Sequence, residues 1–216
     1  MAEDKFQICT NCVMDTSDPN IQFDSKGVCE RCSQFYNEIL PNWPQGEDAK
    51  RELYKIVGAI KNDGKNREYD CILGLSGGFD SSYMLHFAVK ELGLRPLVFH
   101  VDSGWNTDFA VKNIKKLVNK LKINLKVEVL DWEEMKDFQL AFFKSGVPHL
   151  DIPQDHAFVS VLYNYAEKHT IKYILNGGNI STEVVVNPDA WSYWGTDLVH
   201  INDIIGRFCK KPLKKY

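Results

Sequence analysis

No apolar run in these 216 residues approaches the roughly 20 needed to cross a bilayer. The opening residues, Met1-Ala2-Glu3-Asp4-Lys5, contain no apolar signal core. Positive charge is not in excess: the formal net charge is −3, which argues against a broad basic footprint for nucleic acid. Lys210, Lys211, Lys214 and Lys215 cluster near the end, where a short charged tail reads as a solvated end. Neither a Walker A loop nor the dinucleotide fingerprint G-x-G-x-x-G occurs. Cysteine is sparse outside one region: four of the six lie in two C-x-x-C pairs, and Cys71 and Cys209 stand alone. Without a secretion signal, this usage fits a reducing cytoplasm and a bound metal rather than disulfides. What is present, 44% hydrophobic and 25% charged residues, suits a globular protein with one sizeable domain and a small appendage.

The appendage is the cysteine region. Cys9-Thr10-Asn11-Cys12 is followed, after sixteen residues, by Cys29-Glu30-Arg31-Cys32. That spacing matches a four-cysteine zinc site, in which each C-x-x-C turn delivers two soft thiolates to a tetrahedron. The stretch Met14 to Gly27 is rich in turn residues and has little core of its own, so a metal is the expected staple. A redox dithiol is the rival, disfavoured by two pairs without a thioredoxin-like context. With Cys9, Cys12, Cys29 and Cys32 all binding, the zinc has no open position and is structural. Trp43-Pro44-Gln45-Gly46 reads as a linker, which sets the expected domains at 1–46 and 47–216.

The larger domain is organised around Leu75-Ser76-Gly77-Gly78-Phe79-Asp80-Ser81-Ser82. The apolar run Tyr69–Leu75 predicts a strand before it, and Tyr83–Leu92 has helical spacing after it. Strand, glycine turn and helix make an anion cradle. The glycines leave backbone N–H groups uncovered, the helix start adds its dipole, and Ser76, Ser81 and Ser82 add hydroxyls. The pattern S-G-G-x-D-S resembles the PP-loop of the ATP pyrophosphatases, which grips the β and γ phosphates while the α-phosphate is attacked. A plain strand-to-helix turn is the alternative. Asp80 suits either a magnesium ligand or a helix cap.

Further elements follow by periodicity. Helices are predicted over Glu47–Asn62, Asp108–Leu121, Glu133–Ser145, Gln154–His169 and about Asn202–Cys209. Strands are predicted over Arg95–Asp102, Leu125–Leu130 and Ile171–Asn176. The stripe of the first helix is Leu53, Ile56, Val57 and Ile60. Asn106 or Thr107 is the expected cap of the second. The alternation predicts an α/β fold: an open parallel sheet with helices on both faces, like the adenine nucleotide alpha hydrolases. Ligands on such sheets collect at the carboxyl ends of the strands. The turns Ser76–Ser82, His100–Asn106 and Gly177–Glu183 are therefore expected to face one crevice. His100 and Asp102 are candidates for adenine or ribose, although His100 equally suits a satisfied core histidine. Gly177 and Gly178 are candidates for ATP or substrate. The aromatics Trp191, Tyr193 and Trp194 suit either ring stacking or the core.

These pieces together resemble the N-acetyl sugar amidotransferase family, bacterial enzymes of surface polysaccharide and nonulosonic acid biosynthesis. The resemblance rests on Ile8 to Pro19 with its M-D-T-S-D-P, Gly27-Val28-Cys29 with Cys32, the S-G-G-F-D-S-S loop, and Asn176-Gly177-Gly178-Asn179 with Thr182-Glu183. It implies an ATP- and Mg2+-dependent conversion of a sugar acetamido group into an acetamidino group, in lipopolysaccharide O-antigen or related glycan synthesis. It implies that Ser76, Gly77, Gly78, Asp80, Ser81 and Ser82 form the pyrophosphate site, with Ser76, Asp80 and Ser81 the catalytic candidates. It implies structural zinc on the four cysteines, and a separate glutaminase supplying ammonia. Met1-Ala2-Glu3 offers no N-terminal nucleophile, and Cys209 near His200 lacks a glutaminase context. Family members are longer at the C-terminal end, so the resemblance leaves three expectations, a natural short form, half of a split enzyme or a truncated copy, with some substrate-binding residues then missing and activity of this chain alone an open expectation. Two other readings stay open. A tRNA thiolation enzyme also joins zinc cysteines to a PP-loop but needs reactive cysteines at the crevice. A non-catalytic nucleotide-binding partner subunit needs neither.

Overall fold

The computed structural model describes residues 6–178 and 195–210. They pack as two compact units, one of 6–55 and one of 56–178 with 195–210. The division falls inside helix α2 (Gly46–Asp63).

The first unit has almost no hydrophobic core beyond its cysteines. Cys9, Cys29 and Cys32 are its buried hydrophobic residues, with Met14, Ile21, Phe23 and Val28 around them. Short antiparallel bridges, Ile8 with Asp15 and Phe23 with Cys29, shape the two cysteine turns. The M-D-T-S-D-P stretch is an architectural loop. Asp15 Oδ1 accepts from the Ser17 N–H at 2.7 Å, and buried Asp18 accepts from the Asn20 N–H at 3.0 Å beside Arg31. Helix α1 (Glu30–Gln34) begins at Cys29 and runs on through a wider turn at Phe35–Ile39 and a tighter one at Leu40–Asn42.

The second unit alternates strands and helices: β1 (Cys71–Gly74), α3 (Phe79–His86), β2 (Pro96–Asp102), α4 (Asp108–Leu121), β3 (Leu125–Val129), α5 (Trp132–Ser145), α6 (Ile152–Lys168), β4 (Ile174–Leu175) and α7 (Leu198–Phe208). All pairings are parallel, and the order is β3-β2-β1-β4. Alternate strand residues face opposite layers, as the pleat requires. Ile72, Leu97 and Phe99 pack on Met135, Ala157 and Val161 of α5 and α6. Leu73, Leu75 and Val98 pack on Leu85 and Ile114 of α3 and α4. Helices thus cover both faces, and the strand order reverses at β1, between β2 and β4.

Local chemistry explains most boundaries. Thr107 caps α4 by accepting from the Ala110 N–H, Asp131 caps α5, and Gly146 closes α5 at φ +73°. Two expectations change. Helix α3 starts at Phe79, so the loop's own Asp80, Ser81 and Ser82 form its first turn. The fourth strand shrinks to Ile174–Leu175, because Thr170 at φ +55° and the Ile171 N–H bond to the Ala166 carbonyl spend the preceding residues on ending α6. None of the described helices is long and apolar enough to cross a membrane.

At the amino end of the sheet, buried Asp70 accepts from the Arg95 backbone N–H at 2.8 Å and its Nε at 3.4 Å. The same guanidinium donates to the carbonyls of Arg67 and Gly64 at 2.8 and 2.7 Å. Arg95→Ala leaves Asp70 short of its countercharge. Because the Arg95 side chain is half exposed, the expected loss is about 1–3 kcal/mol in urea unfolding. The loop at the opposite end of the sheet, after β1, should be unaffected.

Candidate functional site

The loop after β1 sits where the strand order reverses, the position at which open α/β sheets bind ligands. Gly77 takes φ +81°, which opens the turn. Gly78 precedes helix α3 and gives it no side-chain cap, in contrast to α4, α5 and α7, so its first N–H groups face the loop mouth. Asp80 is not the cap. Its carboxylate lies exposed in the first turn. The hydroxyls of Ser76 and Ser81 meet across the loop at 2.9 Å, Ser81 Oγ also receives the Ser76 N–H at 3.3 Å, and Ser76 Oγ receives the Gly78 N–H at 3.3 Å. Ser82 follows in the same turn, its N–H already bonded to the Gly78 carbonyl. The result is a ring of donors around a helix start, suited to an anion.

The loop is wedged from two sides. A Cβ on Gly77 would lie 2.6 Å from the Ala110 carbonyl oxygen, so the first turn of α4 touches its backbone directly. Asn113 Nδ2 donates to the Gly77 carbonyl at 3.3 Å. On the other side, a Cβ on Gly177 would lie 2.9 Å from the Asp80 carbonyl carbon and 3.1 Å from Ser81 N. The turn after β4 therefore abuts the start of α3, and Gly178 is held there by its N–H bond to Asn176 Oδ1 at 3.0 Å.

His100 stands behind the loop. Its ring is buried, Nδ1 is 2.8 Å from the Leu75 carbonyl oxygen, and Nε2 is 3.0 Å from Asn106 Nδ2. A carbonyl only accepts and an amide NH2 only donates, so the ring carries its proton on Nδ1 and both nitrogens are committed to protein. It orients the residue before Ser76 rather than offering a free nitrogen. Asp102, at the end of β2, accepts the Gly104 N–H on Oδ1 at 3.0 Å.

In the first unit, the four cysteine sulfurs lie within 4.8 Å of one another. Cys9 to Cys32 is 4.0 Å and Cys12 to Cys29 is 3.7 Å. A tetrahedron with zinc–sulfur bonds of about 2.3 Å has edges of about 3.8 Å, so the set fits zinc. Backbone N–H groups of Asn11 and Cys29 point at Cys9 Sγ, that of Met14 at Cys12 Sγ, and the Asn11 side chain at Cys32 Sγ. Burial opposes ionisation of Cys9, yet the N–H donors of Cys29 and Asn11 outweigh it and lower its thiol to about 6. Burial pushes Cys12 up to about 12 and Cys29 upward. Four thiolates this close require a cation.

Residues 70–149 match the phosphoadenosine phosphosulfate reductase domain, a span that holds β1, the S-G-G-x-D-S loop and everything through α5. The matched span lies within the second unit, the open parallel four-stranded sheet covered by helices. Curated relatives include the glutamine-hydrolysing GMP synthases of Thermosipho melanesiensis and Thermosipho africanus. The first is 25% identical over 72% of this chain and 29% of its own length, the second 27% over 63% and 26%. The chain thus spans less than a third of these relatives. Among solved structures, NMN synthetase from Francisella tularensis superposes with a TM-score of 0.47 and 22% identity, over 61% of this chain and 55% of that one.

Around the S-G-G-x-D-S loop, the structure brings together Ser76, Gly77, Gly78, Asp80, Ser81, Ser82 and Gly177, with Gly178 adjacent. Asn179, Thr182, Glu183, Trp191, Tyr193 and Trp194 lie outside the described residues. Asn113 and the partnering of Asn106 with His100 were not anticipated. Asn113 is 36 residues from Gly77, beyond any local pattern.

Proposed function

We propose that this chain is an ATP-dependent amidating enzyme that activates the acetamido group of a sugar and replaces its oxygen with nitrogen. The amide oxygen attacks the α-phosphorus, and pyrophosphate leaves into the PP-loop. Ammonia then adds to the activated carbon, loses a proton, and AMP departs with the original oxygen. The observation that carries the reading is the uncapped helix start ringed by Ser76 and Ser81 at the sheet's reversal point, in one chain with a zinc-fitting M-D-T-S-D-P knuckle. The loop's part is electrostatic. Its N–H groups and hydroxyls offset the charge that grows on the departing pyrophosphate. Asp80 in the first turn repels bare phosphate, so its place there suits a bridging Mg2+. Relatives named for glutamine hydrolysis support ammonia as the nitrogen source, and a separate glutaminase is the proposed supplier.

Sulfur transfer ranks second on the state of the two remaining cysteines. Cys71 lies at the amino end of β1, away from the loop, and its Sγ is 3.3 Å from Asp70 Oδ1. Burial, then the Asp70 charge, pushes its thiol up. Burial, then Asp137, does the same to half-buried Cys209. Neither is an activated thiolate.

The test is incubation with ATP, Mg2+, an ammonium salt and a pool of acetamido nucleotide-sugars. AMP and pyrophosphate should form in step with a product about one mass unit lighter, oxygen exchanged for N–H. Turnover with tRNA and a sulfur donor instead would overturn the reading.

A further inference from the structure

Two tryptophans at the carboxyl edge of the sheet have no role in the PP-loop chemistry. Trp105 lies in the turn after β2, and Trp132 opens α5 just after β3. Their rings meet edge to face, with centroids 5.8 Å apart and planes at 70°. Trp105 is 54% exposed and Trp132 43%. Tryptophan is usually well covered in folded proteins, and each square ångström of apolar surface left in water forgoes about 25 cal/mol. Two adjoining indoles left half open are thus a surface with something to gain from a ligand.

The corner is built rather than incidental. Gly104 takes φ +85°, and a Cβ there would lie 2.6 Å from Trp132 Cε3, so the indole rests directly on the turn's backbone. Asp131 caps α5 and fixes Trp132 at its first position. The Leu130 N–H donates to the Asp102 carbonyl at 2.9 Å, tying the end of β3 to the end of β2. Asn106, next to Trp105, bonds to His100, which bonds to the Leu75 carbonyl immediately before Ser76. The corner is therefore held in register with the phosphate cradle by a chain of hydrogen bonds.

We propose that Trp105 and Trp132 seat the pyranose ring of the acceptor, an inference that rests on the amidotransferase reading. A nucleobase gains most from two parallel rings, whereas planes at 70° offer one face and an upright wall. A pyranose suits that shape: its C–H face lies on one indole and its hydroxyl rim stays in water. The ends of β1 and β3 are two strand spacings apart, about 10 Å. That leaves room for a ring on the corner with its acetamido arm directed across β2 toward the PP-loop.

The test is calorimetry on the full chain with UDP-N-acetylglucosamine, UDP and Mg-ATP as separate probes. Trp105→Ala should weaken the acetamido sugar-nucleotide about tenfold, the loss of one stacking contact, with UDP and Mg-ATP unchanged. Trp105→Phe should recover most of the loss. Weakened Mg-ATP with the sugar-nucleotide unaffected would make the corner the adenine seat and overturn the proposal. Equal weakening of UDP and UDP-N-acetylglucosamine would assign it to the base and also overturn it. A parent protein that binds the sugar-nucleotide while Trp105→Ala binds it equally well sinks the seat alone. A parent protein that binds Mg-ATP but no acetamido sugar sinks both the seat and the amidotransferase reading.

Discussion

Replacing Gly77 with alanine is expected to abolish ATP-dependent pyrophosphate release. Gly77 sits at φ +81°, where a side chain costs about 1–2 kcal/mol by itself. The larger problem is space. The new Cβ would stand 2.6 Å from the Ala110 carbonyl oxygen and 3.0 Å from Ala110 C and Cα, and those are helix backbone atoms that cannot rotate away. Either α4 retreats, breaking the Asn113 bond to the Gly77 carbonyl, or the loop moves out over its own cradle. In both cases the donors shift by a sizeable fraction of an ångström. Misplacement on the ångström scale costs about a hundredfold in rate. Gly78→Ala is the control. Gly78 has φ −73°, and its added Cβ would meet only Ser76 Oγ, at 3.4 Å. That variant should keep parental thermal stability and weaken ATP alone, because its methyl group enters the space meant for phosphate. Gly77→Ala should lose both stability and turnover. A Gly77→Ala protein that releases pyrophosphate at the parental rate would remove the loop from the chemistry.

Local signals carried much of the fold. Helix α4 has the expected ends, Asp108 and Leu121, because Thr107 caps it and the stripe through Ile114 and Leu121 is buried as periodicity requires. The inward set Met135, Phe138, Ala141 and Phe142 of α5 is buried in full. Periodicity failed at Ile56, which continues the pattern of Val57 and Ile60 yet is exposed. It also missed the wider turn at Phe87–Glu91, where the Leu92 N–H reaches five residues back to the Phe87 carbonyl. At the candidate site, residue types announced the donors but not the scaffold behind them. Ser76 and Ser81 were legible from their motif. Asn113 supporting Gly77, and Asn106 holding His100, depend on contacts that only the parallel crossover creates. The aromatic corner was illegible for the same reason: Trp105 and Trp132 are 27 residues apart and meet only because β2 and β3 are paired.

Removing zinc should unfold the first unit. Its buried hydrophobic residues are Cys9, Cys29 and Cys32 themselves, so a metal on them would replace the apolar core that a unit of this size lacks. A structural zinc in so small a module contributes about 10–16 kcal/mol of apparent folding free energy at neutral pH. Chelation should therefore expose the backbone amides of 6–42 to rapid hydrogen exchange, and added zinc should restore their protection. Cys29→Ser should do as much without chelator, because Cys29 is wholly buried and no exposed rotamer can spare its contacts. Partly exposed Cys12 should be the more forgiving position. The pH dependence follows from the thiols. Without metal, the stability that Cys9 contributes as a thiolate is fully present only above the unfolded thiol value, and it is lost as pH falls through about 6. The raised Cys12 works oppositely, since its neutral form is preferred in the fold. Its contribution is full below the unfolded value and lost as pH climbs toward about 12. Zinc demands all four as thiolates, so it must displace a proton from Cys12 and Cys29 before it binds, and acid should release it. Zinc loss on acidification should coincide with the onset of exchange at 6–42. Unchanged exchange after complete metal removal would show that the turns of Asp15 and Asp18 hold the knuckle without it.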